Sequence, residues 1–113
     1  MFIDGLILLT EVDEFCYHEM IAHIPLCMHK KAQKVLVIEG GDRETVRQTS
    51  KHDKVREVDA CEIDEKITEI SRRHFPYLAN SLDDPKVKIF WEDGKKFIRE
   101  KMNTIPVLLI LLI

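Results

Sequence analysis

The sequence predicts an α/β fold in which a partial Rossmann-like parallel sheet carries helices on both of its faces. An apolar run at 35–38 enters a glycine turn at Gly40 and Gly41, and a polar segment of helical length follows. A second apolar run ends near Glu62, twenty residues after Asp42. A strand, a glycine turn, a helix and a strand that ends in an acid form the first unit of a nucleotide-binding α/β sheet.

Length and composition limit the class of protein. The 113 residues allow one domain, and 45% hydrophobic with 33% charged residues is typical of a globular chain. The 17 basic and 20 acidic residues give a net charge of -3 without a basic block, which argues against nucleic acid as a partner. Three cysteines without a close pair predict reduced thiols. Because no basic leader precedes the first apolar run, we expect no signal peptide and a cytoplasmic location.

The N-terminal third predicts a hairpin and one long helix. The pair Asp4-Gly5 tolerates the positive φ of a tight turn and predicts a hairpin over 2–10. Apolar residues at helical spacing predict a helix over 14–28. Proline lacks an N–H and disturbs a helix interior, so Pro25 is expected to kink or split this helix.

Asp13 is expected to cap the start of the same helix. This helix also carries two histidines whose spacing is close to that of a zinc site. His18-Glu19 and His23 resemble the zinc-protease pattern, but the two histidines are five residues apart instead of four. That spacing places them roughly 140° apart around the helix. The sequence therefore predicts no metal site.

The helix predicted over 43–52 has a weak apolar face. A helix that covers a parallel sheet needs apolar residues at i, i+3, i+4 and i+7. That face offers only Val46, together with Thr49, Ser50 and Asp53. Serine and threonine each cost roughly half a kcal/mol relative to alanine in a helix. We therefore expect this helix to be the weakest element of the domain.

The second half of the chain predicts three further strands. They are expected over 55–63, 87–91 and 107–113. The last of them is apolar throughout, too short to span a bilayer, and typical of a central buried strand of a parallel sheet. We therefore expect no membrane segment. A helix is predicted over 95–102.

One more helix is predicted between the second and third of these strands. Asp64 is expected to cap its start, and the helix should continue to about residue 74. Its apolar spacing predicts that Ile67, Ile70 and Ser71 face inward.

The charge of the glycine turn indicates what it would bind. A pyrophosphate needs bare backbone amides at a helix N-terminus, so the carboxylates of Glu39 and Asp42 would repel it. A cationic ligand would be attracted instead. A sulfonium nucleoside of the S-adenosylmethionine type offers a ribose diol to Glu62 and a positive sulfur or amine to Asp42. The alternative is an α/β domain whose glycine turn binds nothing.

A family resemblance appears in a series of short motifs. They are Glu14-Phe15, Tyr17-His18-Glu19-Met20, Ala22-His23, Pro25-Leu26, residues 34–38, Gly40-Gly41-Asp42, Lys51-His52, Cys61-Glu62-Ile63-Asp64, Asp83-Asp84-Pro85 and Asp93-Gly94. Their order and spacing resemble the spermidine synthases, or polyamine aminopropyltransferases, from about residue 2 to residue 105. The implied fold is that of the S-adenosylmethionine methyltransferases. Residues 1–12 would be the remnant of an N-terminal β domain, and residues 13–113 a truncated catalytic domain.

The resemblance implies a reaction and its ligands. An aminopropyl group would pass from decarboxylated S-adenosylmethionine to putrescine, giving spermidine and methylthioadenosine. Decarboxylated S-adenosylmethionine is then a co-substrate, and no separate cofactor is expected. Tyr17, His18 and Asp42 would bind the polyamine.

The nucleoside would be held by a second group of residues, again by resemblance. They are Gly40, Gly41, Glu62, Asp93 and Gly94. Glu62 would accept from the ribose diol, and Asp93 would accept from the exocyclic amine of adenine. Without a ligand, Asp93 would serve equally well as a helix cap, and Glu62 as an acid at a strand end.

The chain departs from the family pattern in two places. Glu39, Arg43 and Glu44 stand where the pattern G-G-G-D-G-G has glycines, which the turn needs for unrestricted φ and close ligand approach. The family's general-base aspartate follows the last strand, where Leu111 or its neighbours lie here, and no aspartate follows Asp93. We therefore predict no catalytic residue in this chain and little or no activity, since the attacking amine must lose a proton.

Two other classes remain open. The chain would instead be a nucleoside-binding module, or a module that pairs with an intact homologue or with a second copy of itself, because an apolar strand at an open edge associates readily. An S-adenosylmethionine methyltransferase would share the glycine turn and the ribose acid. Nothing in that class requires Tyr17-His18-Glu19 ahead of the first strand of the sheet.

Overall fold

The structure is a computed structural model, and it describes residues 2–7, 14–39, 44–76, 83–101 and 107–111. The elements, in chain order, are β1 (Phe2–Ile3), β2 (Leu6–Ile7), α1 (Glu14–Met28), β3 (Lys34–Ile38), α2 (Glu44–Ser50), β4 (Glu57–Cys61), α3 (Glu65–His74), β5 (Val87–Phe90), α4 (Gly94–Lys101) and β6 (Val107–Leu111). The α/β prediction is confirmed. Each predicted element within the described residues is present, with ends that differ by a few residues at most.

The larger sheet has four parallel strands in the order β5-β4-β3-β6. Val37 of β3 pairs with Ala60 of β4 on one side and with Ile110 of β6 on the other. Within the described residues β6 is therefore an edge strand, and the prediction that it is central was wrong. A continuous apolar run indicates that both faces of a strand are buried. Whether the strand is central depends instead on whether it has hydrogen-bonded neighbours on both sides.

Alternate residues of β3 build the two cores of the domain. Val35 and Val37 are fully buried on the face that α1 and α2 cover. Leu36 and Ile38 point to the opposite face, where they pack with Phe97 of α4. Because successive side chains of a strand alternate between faces, a continuous apolar run is what a strand covered on both sides requires. The expected helices on both faces are confirmed.

The hairpin at the N-terminus has the predicted turn. Ile3 of β1 pairs with Leu6 of β2 in antiparallel register. Between them Asp4 has φ 50° and Gly5 has φ 78°, the left-handed pair that a two-residue hairpin loop needs. The remainder of the predicted hairpin, residues 8–10, and the predicted cap Asp13 lie outside the described residues.

Helix α1 continues through Pro25 without a break, so the expected split does not occur. The turn after the proline is held by the N–H of His29, which donates to the Pro25 carbonyl at 2.9 Å. The Lys54 ammonium donates to the carbonyls of Leu26 and His29. Leu26 is fully buried against the sheet. The burial of Leu26 and the hydrogen bonds from Lys54 to the end of the helix therefore compensate for the backbone hydrogen bond that Pro25 cannot make.

Helix α2 buries polar side chains, as its weak sequence pattern indicated. Glu44, Thr45, Gln48 and Thr49 are all buried beside Val46. Glu44 Oε1 accepts hydrogen bonds from the Arg47 guanidinium and from Gln48 Nε2. Thr49 Oγ1 donates to the Thr45 carbonyl at 2.7 Å. Hydrogen bonds within the helix thus replace part of the apolar packing that usually fixes such a helix to a sheet.

Helix α3 has the predicted cap but a different inner face. Asp64 Oδ1 accepts from the N–H of Lys66 at 2.9 Å. Thr68 and Ser71 are buried, whereas Ile70 is 44% exposed, so the prediction that Ile70 faces inward was wrong. At roughly 100° per residue, Ile70 lies on the opposite side of the helix from Thr68.

Candidate functional site

A cavity of about 200 Å³ lies at the carboxyl ends of β3 and β4, against the start of α4. Its lining residues are Ile38, Glu39, Cys61, Ile63, Asp93, Gly94 and Lys95. Ligands of open α/β sheets bind outside the carboxyl ends of the strands. The cavity therefore stands at the position that the fold itself favours for a small molecule.

The parallel register brings the predicted acids to the same end of the sheet. Glu62 follows β4, and its N–H donates to the carbonyl of Phe90, the last residue of β5, at 2.9 Å. Asp93 comes three residues later in the chain than Phe90, at the start of α4. Glu62, Asp93 and Gly94 thus lie around one strand-end region.

Asp93 is both a helix cap and part of the cavity wall. Its Oδ1 accepts from the N–H groups of Lys95 at 2.8 Å and Lys96 at 3.2 Å. Among the described residues its Oδ2 has no hydrogen-bond partner. One oxygen therefore fixes the start of α4, and the other remains able to accept a hydrogen bond from a ligand.

Gly94 allows α4 to approach β3 closely. A Cβ placed on this residue would lie 2.6 Å from Cγ2 of Ile38. That separation is far below van der Waals contact, so any larger residue would push the helix away from the strand end. The glycine therefore sets the width of the cavity between Ile38 and Asp93.

Glu62 lies between two lining residues, Cys61 and Ile63, but does not itself line the cavity. Only 5% of its surface is exposed, and its Oε1 accepts from the N–H of Asp64 at 3.1 Å. The carboxylate is thus held in place by the turn into α3. Its role as a ribose ligand stays a prediction.

The sequence indicated Glu39 as a replacement for a glycine and as a carboxylate that would favour a cationic ligand, and the structure places it in the cavity wall. Its φ is 60°, in the left-handed region that favours glycine. Its N–H donates to the carbonyl of Cys61 at 2.7 Å, so the β3–β4 ladder continues into the turn and holds Glu39 there. Cys61, Ile63 and Lys95 were not predicted. The pairing of strands brings Cys61 and Ile63 beside Asp93, whereas Lys95 lies beside it in the first turn of α4.

Comparison with known proteins decides the family. Residues 14–110 match the spermine/spermidine synthase domain. The chain belongs to this family. The polyamine aminopropyltransferase of Leptospira biflexa is 46% identical over 108 residues, which are 96% of this chain and 38% of that protein. That of Clostridium perfringens is 41% identical over the same length. The chain thus spans about 38% of the length of these relatives.

Solved structures of the spermine/spermidine synthase family share the fold. Spermidine synthase from Thermotoga maritima is 39% identical, with a TM-score of 0.89 over 96% of this chain and 38% of that one. A spermidine synthase in complex with the transition state analogue AdoDATO has the same identity and TM-score. The predicted resemblance is confirmed, and these matches favour the aminopropyltransferases over the methyltransferase alternative.

The predicted amine-binding residues of this family member are only partly described. His18 is buried on α1, and Tyr17 beside it is 49% exposed, with the ring centroids 5.2 Å apart in an edge-to-face arrangement. Neither residue lines the cavity. Gly40, Gly41 and Asp42 lie outside the described residues. The polyamine side of the site therefore stays a prediction.

Cys61 forms an uncharged floor of the cavity. Burial raises the pKa of its thiol to about 11, and its Sγ donates to the Glu92 carbonyl at 3.2 Å. A thiol with this pKa is protonated at neutral pH, and only a thiolate is an effective nucleophile. Cys61 therefore contributes contact surface and not covalent chemistry.

Neither a metal-binding cluster nor a membrane-spanning helix is found among the described residues. No three histidine, cysteine, aspartate or glutamate side chains in it come together in a way that would hold a metal ion. None of its helices has the length and hydropathy needed to cross a bilayer.

Proposed function

We propose that this chain carries the nucleoside-binding part of an aminopropyltransferase. The reaction would transfer an aminopropyl group from decarboxylated S-adenosylmethionine to putrescine and yield spermidine and methylthioadenosine. Membership of the spermine/spermidine synthase family supports this proposal. So does the likeness to a spermidine synthase that was solved with a transition state analogue. The chain would thus act in polyamine biosynthesis.

The double role of Asp93 is the observation that carries the proposal. Its Oδ1 accepts two hydrogen bonds at the start of α4, which fix the position of that oxygen. Its Oδ2 would accept a hydrogen bond from the exocyclic amine of adenine. Ile63, 66% exposed at the cavity wall, would offer an apolar surface to the base. Glu62 would accept from the ribose diol at the end of β4.

The chemical step needs the polyamine side as well. A neutral amine nitrogen of putrescine would attack the carbon beside the sulfonium, the carbon–sulfur bond would break, and the ammonium would release a proton to a base. Tyr17, His18 and Asp42 are proposed to position the amine. No aspartate follows Asp93 in these 113 residues, so we expect this polypeptide alone to bind the nucleoside with little or no turnover.

The proposal extends to location and assembly. We place the chain in the cytoplasm, which its three free cysteines support. Its small-molecule partners would be putrescine or spermidine with decarboxylated S-adenosylmethionine or methylthioadenosine. A second copy of the chain would be a further partner, since the backbone of β6 is paired only with β3 among the described strands.

Isothermal titration with methylthioadenosine tests the proposal, after circular dichroism has established that the chain is folded. Asp93→Asn keeps an oxygen for the helix cap but presents an NH₂ group to the adenine amine. We expect this variant to bind about tenfold or more weakly. Asp84→Asn makes the same change in the turn before β5, outside the cavity, where Asp84 Oδ1 accepts from the N–H of Lys86, and should bind within about twofold of the unsubstituted chain. Equal affinities for all three proteins, or no binding by the folded chain, would contradict the proposal.

A further inference from the structure

Glu39 is held in the cavity wall by constraints that act on its backbone. The residue follows β3 directly, with a left-handed φ of 60°. The hydrogen bond from its N–H to the Cys61 carbonyl continues the pairing of β3 with β4. A left-handed backbone is unfavourable for a residue with a Cβ, so the sheet has to impose it. The backbone of Glu39, and with it the Cα–Cβ bond, is therefore fixed at the cavity wall.

The charged groups of the cavity are few. Two carboxylates, Glu39 and Asp93, and one ammonium, Lys95, belong to its lining. Lys95 offsets one of the two negative charges, and Oδ1 of Asp93 is already engaged by amides. Glu39 is exposed, and the described residues give its carboxylate no ion pair. Glu39 is thus the lining residue whose negative charge is not offset and can act on a ligand.

This charge distinguishes two ligands that share the same adenosine. Aminopropyl transfer breaks a carbon–sulfur bond, and the sulfonium cation thereby becomes a neutral thioether. A nearby carboxylate attracts the cation and has little effect on the thioether. We propose that Glu39 makes this cavity select sulfonium nucleosides over thioether nucleosides, and so favours substrate over product. The inference rests on the proposed function, because it assumes that the cavity holds the nucleoside.

The selectivity should be modest because Glu39 faces solvent. At a separation of about 6 Å and the high effective dielectric of a surface, one charge changes the affinity for a cation about three- to tenfold. Salt screens such an interaction over about 10 Å at 0.1 M. The ratio of the two affinities should therefore fall as salt is added.

Titration of both nucleosides into matched variants tests the inference. The ligands are decarboxylated S-adenosylmethionine and methylthioadenosine, at 20 mM and 300 mM salt. Glu39→Gln removes only the charge and should lower the affinity for the sulfonium about three- to tenfold, with methylthioadenosine unchanged. Glu39→Gly removes the charge and the left-handed strain, and should lose the same selectivity while becoming more stable. Glu100→Gln, at the far end of α4, makes the same charge change away from the cavity and should alter neither affinity.

Each outcome has a defined meaning. If Glu39→Gln weakens both nucleosides equally, or neither, Glu39 does not set selectivity, although the proposed function stands. If Glu100→Gln lowers sulfonium affinity as much as Glu39→Gln, the effect belongs to net charge and the inference fails. If the folded, unsubstituted chain binds neither nucleoside, the proposed function fails and the inference fails with it.

Discussion

His23 of α1 and His52, which follows α2, lie with His23 Nδ1 and His52 Nε2 only 2.6 Å apart. Their ring centroids are separated by 4.8 Å. A hydrogen bond between two imidazoles needs one nitrogen without a proton, so the two rings cannot both be charged and keep this contact. The pair joins the two helices that cover the same face of the sheet. It therefore makes the packing of α1 against α2 sensitive to protonation.

The histidine pair predicts a loss of stability in mild acid. Burial, followed by the charge of His23 and then that of Lys54, lowers the pKa of His52 from its usual 6.5, while Asp53 acts in the opposite direction. A lowered pKa stabilises the fold above pH 6.5, and that stabilisation is lost as the pH falls through 6.5 toward the folded value. Thermal unfolding between pH 7.5 and pH 5 should show the decline. His52→Gln should show a smaller decline, whereas His74→Gln on the exposed end of α3 should follow the unsubstituted chain.

A second prediction concerns Asp59, which β4 buries to 4% exposure. Burial raises the pKa of this carboxyl more than Lys34, 3.5 Å away, lowers it. Because an acid with a raised pKa resists ionisation, the fold loses stability as the pH rises above 3.8. Asp59→Val should remove that cost and stabilise the protein at pH 7 by about 1 kcal/mol in chemical denaturation.

Glu57 supplies the control for Asp59. It lies 2.7 Å from the same Lys34 ammonium, and that hydrogen bond lowers the pKa of Glu57. Its contribution is stabilising above pH 4.5, so Glu57→Gln should change stability at pH 7 in the opposite direction and by less than about 1 kcal/mol. If Asp59→Val also destabilised the chain, the buried carboxylate would be stabilising after all.

A third prediction follows from the contact of Gly94 with Ile38. Gly94→Ala should destabilise the fold by about 1–3 kcal/mol, because the added methyl group would meet Cγ2 of Ile38. The measurement is urea unfolding followed by far-ultraviolet circular dichroism. Ile38→Ala removes the clashing atom, so the double variant should be more stable than the sum of the two single changes predicts. Strict additivity would show that the two residues do not compete for this space.

The three thiols should differ in reactivity. Cys16 and Cys27 are exposed on α1, whereas Cys61 is buried with a pKa raised to about 11. At pH 8 we expect a disulfide reagent to modify two thiols rapidly in the folded chain and the third only after denaturation. Cys61→Ser should leave the number of rapidly reacting thiols at two. A decrease to one would place a reactive thiolate in the cavity.

Sequence patterns predicted the features that depend on neighbours along the chain. The hairpin turn at Asp4-Gly5 and the caps at Asp64 and Asp93 are decided within a few residues, and each was found. The continuity of α1 at Pro25 and the outward side of Ile70 were not predicted, because tertiary packing decides both. The edge position of β6 likewise depends on which strands pair.

The residues of the candidate site likewise fall into those that the sequence predicted and those that it did not. Asp93 and Gly94 were predicted through the family resemblance of their motif. Cys61, Ile63 and Lys95 were not, since their types are ordinary in a core, a turn and a helix. Cys61 and Ile63 become cavity walls only when parallel pairing aligns the end of β4 with the ends of its neighbours, and Lys95 becomes one through the start of α4.

The Asp93 carboxylate both caps α4 and lines the cavity, and this double role has an evolutionary consequence. A helix cap is worth about 1 kcal/mol to the fold whether or not a ligand is ever present. Selection for folding alone would therefore keep an aspartate at this position in a lineage that had stopped using the cavity. Glu39 has no such second duty, since its left-handed backbone makes it a burden to the fold. Among descendants of this gene, the identity of residue 39 should therefore report retained use of the cavity more faithfully than residue 93.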